Sequence, residues 1–387
     1  MTAWLAPPSG ELSERRRRVV TAALRAAYAW TVRETRPKRA MHEIARMTGV
    51  IMEAQGPGRA PNTPLDLVRA LRIPLNKLPI FADSDDPVGQ MSLLADENEL
   101  SPDVQDLICE YVMPLNVLTD SGSWLPDWTR MRSDQIRHQV FTAMTAMKKQ
   151  EVYVASRRLL IEHPAGVAGE IGDLVSKAEI RVASSYQPIP RRQLHRTETG
   201  KAWWWPCPDC RWPMMVSRGG VRCGYRPHSY VYEVTKARAN GRPTLRRIDE
   251  SSGPRKPPET RAAEDAVCLD MGVWRFIVVP GSSELRIYKQ LQRLGARVDL
   301  WPDFDSYDLY VTAGDHEFTV DVKEYRSTHR LISDLKAKPP RARVLLPKTH
   351  EHQHETLRAA LPSLSVTTEK RFLAQVRRAL QTSGRSE

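Results

Sequence analysis

Tyr307-Asp308-Leu309-Tyr310-Val311 and Phe318-Thr319-Val320-Asp321-Val322-Lys323 decide the reading of this chain. Both runs are rich in β-branched and aromatic residues, as strands are. Between them Ala313-Gly314-Asp315-His316 supplies turn residues. With Gly314-Asp315 at the centre of the turn, Asp308 lies across from Asp321. Opposed residues share a sheet face with Cβ atoms roughly 5 Å apart, so like charges there destabilise the hairpin unless a cation sits between them. Lys323, two residues beyond Asp321, points to the same face. Two carboxylates and a lysine on one face can bind Mg²⁺ and orient a metal-activated water. The alternative is a solvated hairpin with mixed charges.

The flanking sequence supplies a frame. Residues 282–295 predict a helix with Ser283 as N-cap, Gly295 just past its end, and Leu285, Tyr288, Leu291 and Leu294 on one side. A strand is expected over 296–301, a helix over 328–337, a strand over 343–346 and a helix over 351–360. A short strand near Ser365 and a last helix over 368–380 complete it. The order α-β-β-β-α-β, with additions, predicts a three-layer α/β core.

In these residues and this order the chain resembles the PD-(D/E)xK, or restriction-endonuclease-like, nuclease superfamily, over roughly residues 265–385. The resemblance implies that Asp308 and Asp321 hold one Mg²⁺ ion, or two, with Mn²⁺ as the alternative metal, helped by the Val322 carbonyl, and that Lys323 is the catalytic lysine. Glu284 is the candidate for the glutamate that many members carry on the first core helix; it also reads as a first-turn acid complementing the helix dipole. Pro302-Asp303 and Asp305 offer rival first acids ahead of the strand, and Glu324 points to the opposite face.

A second constellation is Cys207-Pro208-Asp209-Cys210, then Cys223-Gly224-Tyr225-Arg226-Pro227-His228. Thiolates two residues apart grip one Zn²⁺ from a tight knuckle, and a second knuckle closes the tetrahedron. Met214-Met215-Val216 and Arg218-Gly219-Gly220-Val221 read as the hairpin of a zinc ribbon. A structural Zn²⁺ on Cys207, Cys210, Cys223 and His228 is expected. Cys268 and His195 are rivals for the place of His228, and Cys109 and Cys268 otherwise read as buried thiols.

The chain of 387 residues predicts a multidomain protein. A mostly α-helical region is expected over 1–200, with helices at 12–34, 64–72, 102–112, 132–161 and 168–182. A zinc ribbon over 201–238, a basic Pro/Gly linker over 239–264 and the nuclease domain over 265–387 follow. The linker's flexibility would let the nuclease swing relative to the zinc module. The net charge of +12 is uneven: residues 181–264 hold 17 Lys+Arg against 7 Asp+Glu, the footprint of a polyanion binder such as DNA. Trp203-Trp204-Trp205 and Trp212 either stack on unpaired bases or pack the thin core beside the zinc. Arg15-Arg16-Arg17-Arg18 reads as a solvated face or a weak nucleic-acid contact. No Gly-x4-Gly-Lys-Ser/Thr loop is present, so ATP-driven duplex opening falls to a partner. No secretory leader or apolar span is recognised, and a cytoplasmic protein without a membrane is expected.

The order helical region, zinc ribbon, basic linker, nuclease also resembles a narrower group, the REase proteins of prokaryotic PIWI-RE three-gene islands, whose N-terminal region is called domain Y. That resemblance implies a PIWI-RE protein and a DinG-like helicase as neighbours, and a role in defence against plasmids or phage. Two other readings stand beside it: a non-catalytic zinc-ribbon adaptor on a degenerate nuclease scaffold, and a repair or junction nuclease of the same superfamily.

Overall fold

The computed structural model describes residues 9–56, 58, 59, 61–81, 87–95, 99–101, 104, 139–146, 148–177, 185–217, 220–235, 241–249 and 256–383. The helix expected at 102–112, Cys109 and the Arg218-Gly219 tip lie outside the described residues. The chain divides into two compact units, Met1–Arg132 and Ser133–Glu387.

The first unit is helical: α1 (Ser9–Thr31), α2 (Pro37–Gln55) and α3 (Pro64–Ala70). Helix α1 buries Val19, Val20, Ala22, Ala23, Ala26 and Ala27, and such small side chains let α2 approach closely. Helix α2 answers with Ala40, Ile44, Met47 and Ile51, spaced at three and four residues. The sequence reading places no helix here. Pro37 stands at its first turn, where a missing N–H costs nothing. Thr63 caps α3 by accepting from the Asp66 N–H at 3.1 Å. The pair is pinned inside by Arg25 and Glu43, buried and 2.6 Å apart. Within the run of four arginines, Arg16 donates to the Ile80 carbonyl at 3.0 Å and Arg18 pairs with Glu53 at 2.9 Å.

The second unit begins with helical residues 139–145 and α4 (Gln150–Glu162). The single helix expected over 132–161 is thus broken, at Lys148 with φ +50°. Next come β1 (Ala165–Val167), α5 (Ala168–Lys177), β2 (Tyr186–Pro188), β3 (His195–Arg196) and β4 (Ala202–Trp204); α5 falls within the helix expected over 168–182, whereas β1, β2 and β3 are strands in the region expected to be mostly helical. Strands β5 (Met215–Ser217), β6 (Gly220–Arg222), β7 (Val231–Thr235) and β8 (Thr244–Arg247) form one antiparallel sheet. β9 (Arg261–Ala262) pairs with β4, and β10 (Ala266–Leu269) lies between β1 and β2. The stretch expected as a free linker therefore contributes β8 and β9 to sheets rooted in the preceding segment. The expected swing is not what these residues build.

A helical run starts at Asp270, whose carboxylate accepts from the Gly272 N–H at 2.7 Å. It passes through Met271–Val273 and a π turn, Trp274–Val278, into α6 (Val279–Arg293). Ser283 is therefore not an N-cap but lies buried within the helix. Pro280 falls in the first turn of α6, just past the π turn. Then follow β11 (Arg297–Leu300), β12 (Leu309–Ala313), β13 (His316–Val322), α7 (Thr328–Ala337), β14 (Arg343–Leu346), α8 (His354–Ala360), β15 (Val366–Thr368) and α9 (Glu369–Ser383). Five strands form one mixed sheet in the order β11-β12-β13-β14-β15. The first three are antiparallel and the last two join in parallel. β12 alternates, burying Leu309, Val311 and Ala313, whereas β14 buries Val344, Leu345 and Leu346 in a run, as a strand covered on both faces does.

One core runs from the Cys-rich segment into this sheet. Trp212 stacks on Trp274 at 4.2 Å and donates its indole N–H to the Leu269 carbonyl at 2.9 Å. Trp204, Trp205 and Trp212 are buried, which is the packing role rather than base stacking. Helices α4 and α6 meet at Gly281, where an added Cβ would lie 2.3 Å from Ile161 Cδ1. Gly281→Val is expected to pry the two helices apart at a cost of about 1–3 kcal/mol, with Gly281→Ala milder. Thermal melts read the difference, and an unchanged Tm for the valine variant would contradict this packing. Among the described residues no helix is long and apolar enough to cross a membrane.

Candidate functional site

The hairpin forms in the expected register: Leu309 pairs with Val320 and Ala313 with His316, around a turn in which Gly314 takes φ +57°. Asp308 sits where β12 begins, its N–H on the Val320 carbonyl at 3.0 Å. Its Oδ2 accepts from the Val322 N–H at 2.7 Å, which fixes the carboxylate over the end of the hairpin. Lys323, its N–H anchored on the Leu345 carbonyl at 2.9 Å, brings Nζ to 3.4 Å from Asp321 Oδ2. Burial works against the Lys323 charge, but Asp308 and Asp321 outweigh it and raise its pKa. Asp308, Asp321 and Lys323 thus come together where β12 begins and β13 ends, beside the parallel strand β14.

Glu284 joins them from α6. It is the sixth residue of that helix and is buried, so the first-turn dipole reading does not hold. Both of its oxygens take the Arg157 guanidinium, at 2.9 and 3.2 Å, and it also accepts the Trp301 indole N–H. Arg157 comes from α4, is itself buried, bonds Asp305, and lies 3.9 Å from Asp308 Oδ1. Its guanidinium stacks over the Trp301 ring at 4.5 Å. Sequence reasoning missed Arg157, since one arginine on a helix carries no local signal.

Asp305, a rival acid in the sequence, belongs to this cluster on a short turn of unusual backbone. Trp301, Asp303, Phe304 and Asp305 all have positive φ, from +46° to +76°. Each such residue costs on the order of 1–3 kcal/mol and persists only when its surroundings over-determine it. Here α4 does so: Gln150 donates to the Trp301 carbonyl at 2.7 Å and accepts from the Phe304 N–H at 3.0 Å.

The charges do not cancel. Glu284, Asp305, Asp308 and Asp321 face Arg157 and Lys323, so full ionisation leaves two negative charges in excess. Burial pushes the Asp308 carboxyl well above its usual range, and the Glu284 charge adds to this. Burial also raises Glu284, against the pull of Arg157. Hard oxygen donors in a negative excess of two suit one divalent cation such as Mg²⁺.

The second site is a buried set of four. Ligand atoms of Cys207, Cys210, Cys223 and His228 all lie within 4.8 Å of one another and could hold a metal such as zinc. His228 presents Nδ1, 3.4 Å from Cys223 Sγ and 3.6 Å from Cys207 Sγ. The rivals stay outside: Cys268 is in β10, and His195 lies against Trp205. Burial opposes ionisation at Cys210, yet hydrogen bonds from Cys207, Cys223 and Trp274 hold its thiol well below the ordinary value. A thiolate formed in a buried cluster is what a soft cation requires.

The two sites touch common elements. Tyr225 donates its N–H to Cys223 Sγ at 3.4 Å and packs edge-on to His228, with ring centroids 5.0 Å apart. Its hydroxyl hydrogen-bonds the buried Glu324, the neighbour of Lys323. Trp274, at the start of the π turn that leads to Glu284, donates to Cys210 Sγ at 3.3 Å.

Comparison with known families gives two matches. Residues 281–384 match the family described as REase associating with pPIWI_RE. Residues 15–167 match the pPIWI_RE three-gene island domain Y. No curated protein and no solved structure matches the chain. The acids Glu284, Asp305, Asp308 and Asp321 fall within the first match and Arg157 within the second.

Proposed function

We propose, from the premise that this chain belongs to the REases associated with pPIWI_RE and carries the three-gene island's domain Y, that it is a metal-dependent DNA endonuclease of the PD-(D/E)xK kind. The observation that carries the reading is the convergence of Asp308, Asp321 and Lys323 at the end of the β12–β13 hairpin, beside a parallel strand. Asp308 and Asp321 would hold Mg²⁺, or Mn²⁺ in its place. When bound, that ion supplies a Lewis acid for the phosphodiester and a water of lowered pKa. Lys323 orients the attacking water and offsets charge that builds on the phosphate in the transition state. The Cys207, Cys210, Cys223 and His228 cluster would take zinc in a structural role, with no position left open for substrate.

The basic segment 181–264 would contact the DNA backbone, with binding that weakens steeply with salt. The island membership supports a PIWI-RE protein as partner and a role in defence against plasmids or phage; a DinG-like helicase would open the duplex. The test is cleavage of supercoiled plasmid by zinc-loaded protein in Mg²⁺ or Mn²⁺, beside Asp308→Ala. Metal-dependent nicking or linearisation that the variant lacks is expected. If no cutting occurs even with a PIWI-RE protein and a helicase present, the chain is a scaffold and the reading fails.

A further inference from the structure

We propose that Arg157, from the stretch that matches domain Y, is a resident cation of the acid cluster, standing in for a second metal ion so that the site takes one divalent ion. The inference rests on the metal-dependent reading above and adds to it a metal count and a role for domain Y. A cluster of four carboxylates is the donor set from which a two-metal hydrolytic site is made. Here two of the four are already satisfied. Glu284 has both oxygens on the Arg157 guanidinium and receives the Trp301 indole, and Asp305 is also bonded to Arg157.

A planar guanidinium is always charged and presents its donors to two carboxylates in a fixed fork, where an ammonium is a compact point charge. The contact is not incidental to the surface. Arg157 is buried, lies over the Trp301 ring at 4.5 Å and receives support from Tyr153, whose hydroxyl is 3.1 Å from Nη1. Gln150, two turns earlier on the same helix, straps the left-handed turn that presents Asp305. Helix α4 therefore both supplies the cation and shapes the loop that meets it. Asp308 and Asp321 remain, with Lys323 beside them, and the residual charge of the whole cluster matches one divalent ion.

The experiment counts Mn²⁺ by electron paramagnetic resonance in zinc-loaded, full-length protein, subtracting what an Asp308→Ala/Asp321→Ala variant binds. One ion per wild-type chain is expected. Arg157→Met, which leaves Glu284 and Asp305 without their cation, should take up two, and Arg157→Lys should return the count towards one. Two ions in the wild type, or one in a folded Arg157→Met protein, would overturn the proposal while leaving the metal-dependent reading in place. No ion in the wild type would overturn both. The wild-type count decides by itself if the methionine variant does not fold.

Discussion

Cys210→Ser is expected to empty the buried cluster and melt the second unit: zinc content should fall from about one ion per chain to near zero, and the cooperative unfolding transition of the unit should be lost or shifted strongly down. The size of the effect follows from what the thiolate touches. Cys210 Sγ is fully buried, 3.8 Å from Cys223 Sγ, and accepts the Trp274 indole N–H. Structural zinc contributes an apparent binding free energy of about 10 kcal/mol or more, as large as the whole stability of a typical domain. Trp274 leads through the π turn into α6, so damage at the cluster is carried to Glu284. Atomic absorption and calorimetry on the same samples decide it. Wild-type zinc content and Tm in the serine variant would show that the four residues do not form a metal centre.

Lys323→Ala and Asp321→Ala are each expected to lower plasmid cleavage by at least ~10²–10³-fold, the range seen when one group that stabilises transition-state charge is removed. Asp308 and Asp321 raise the Lys323 pKa against the effect of burial and so favour its ammonium form. The part proposed for it is accordingly electrostatic and positional. DNA affinity, assigned in the proposal above to the basic segment 181–264, should change little in either variant. Filter binding alongside cleavage separates the two properties. Cleavage at the wild-type rate in both variants would remove the hairpin from the mechanism.

Much of this arrangement was legible from residue order. The Gly314-Asp315 turn set the hairpin register, and the period-2 burial of β12 obeyed it. Helix α7 and strand β14 occupy the spans their patterns indicate. The Cys and His spacing located a cluster whose four side chains do converge. What escaped has identifiable causes. Helix α2 opens on a proline with no side-chain cap at Arg36, so its start carries no capping signal even though Ala40, Ile44, Met47 and Ile51 carry the period. The sequence pattern places the start of the next helix at 282, with Ser283 as its cap, whereas the π turn carries the helical run into Pro280 and Gly281 ahead of it. Strands β8 and β9 are too short to stand out in a Pro-rich stretch and owe their form to partners elsewhere. Arg157 is 127 positions from Glu284, and a pairing at that distance leaves no trace in local pattern.

That separation also orders events at the ribosome. At about 5–20 residues per second, the arginine emerges several seconds or more before the glutamate it neutralises, and the two aspartates and the lysine come later still. A chain interrupted between Arg157 and Glu284 carries the cation without its acids, and a fragment that starts after Arg157 carries the acids without their cation. Neither piece holds the complete cluster. If that cluster is the cleavage centre proposed above, it stays unassembled until Lys323 has been translated, with α7, α8 and α9 still to follow.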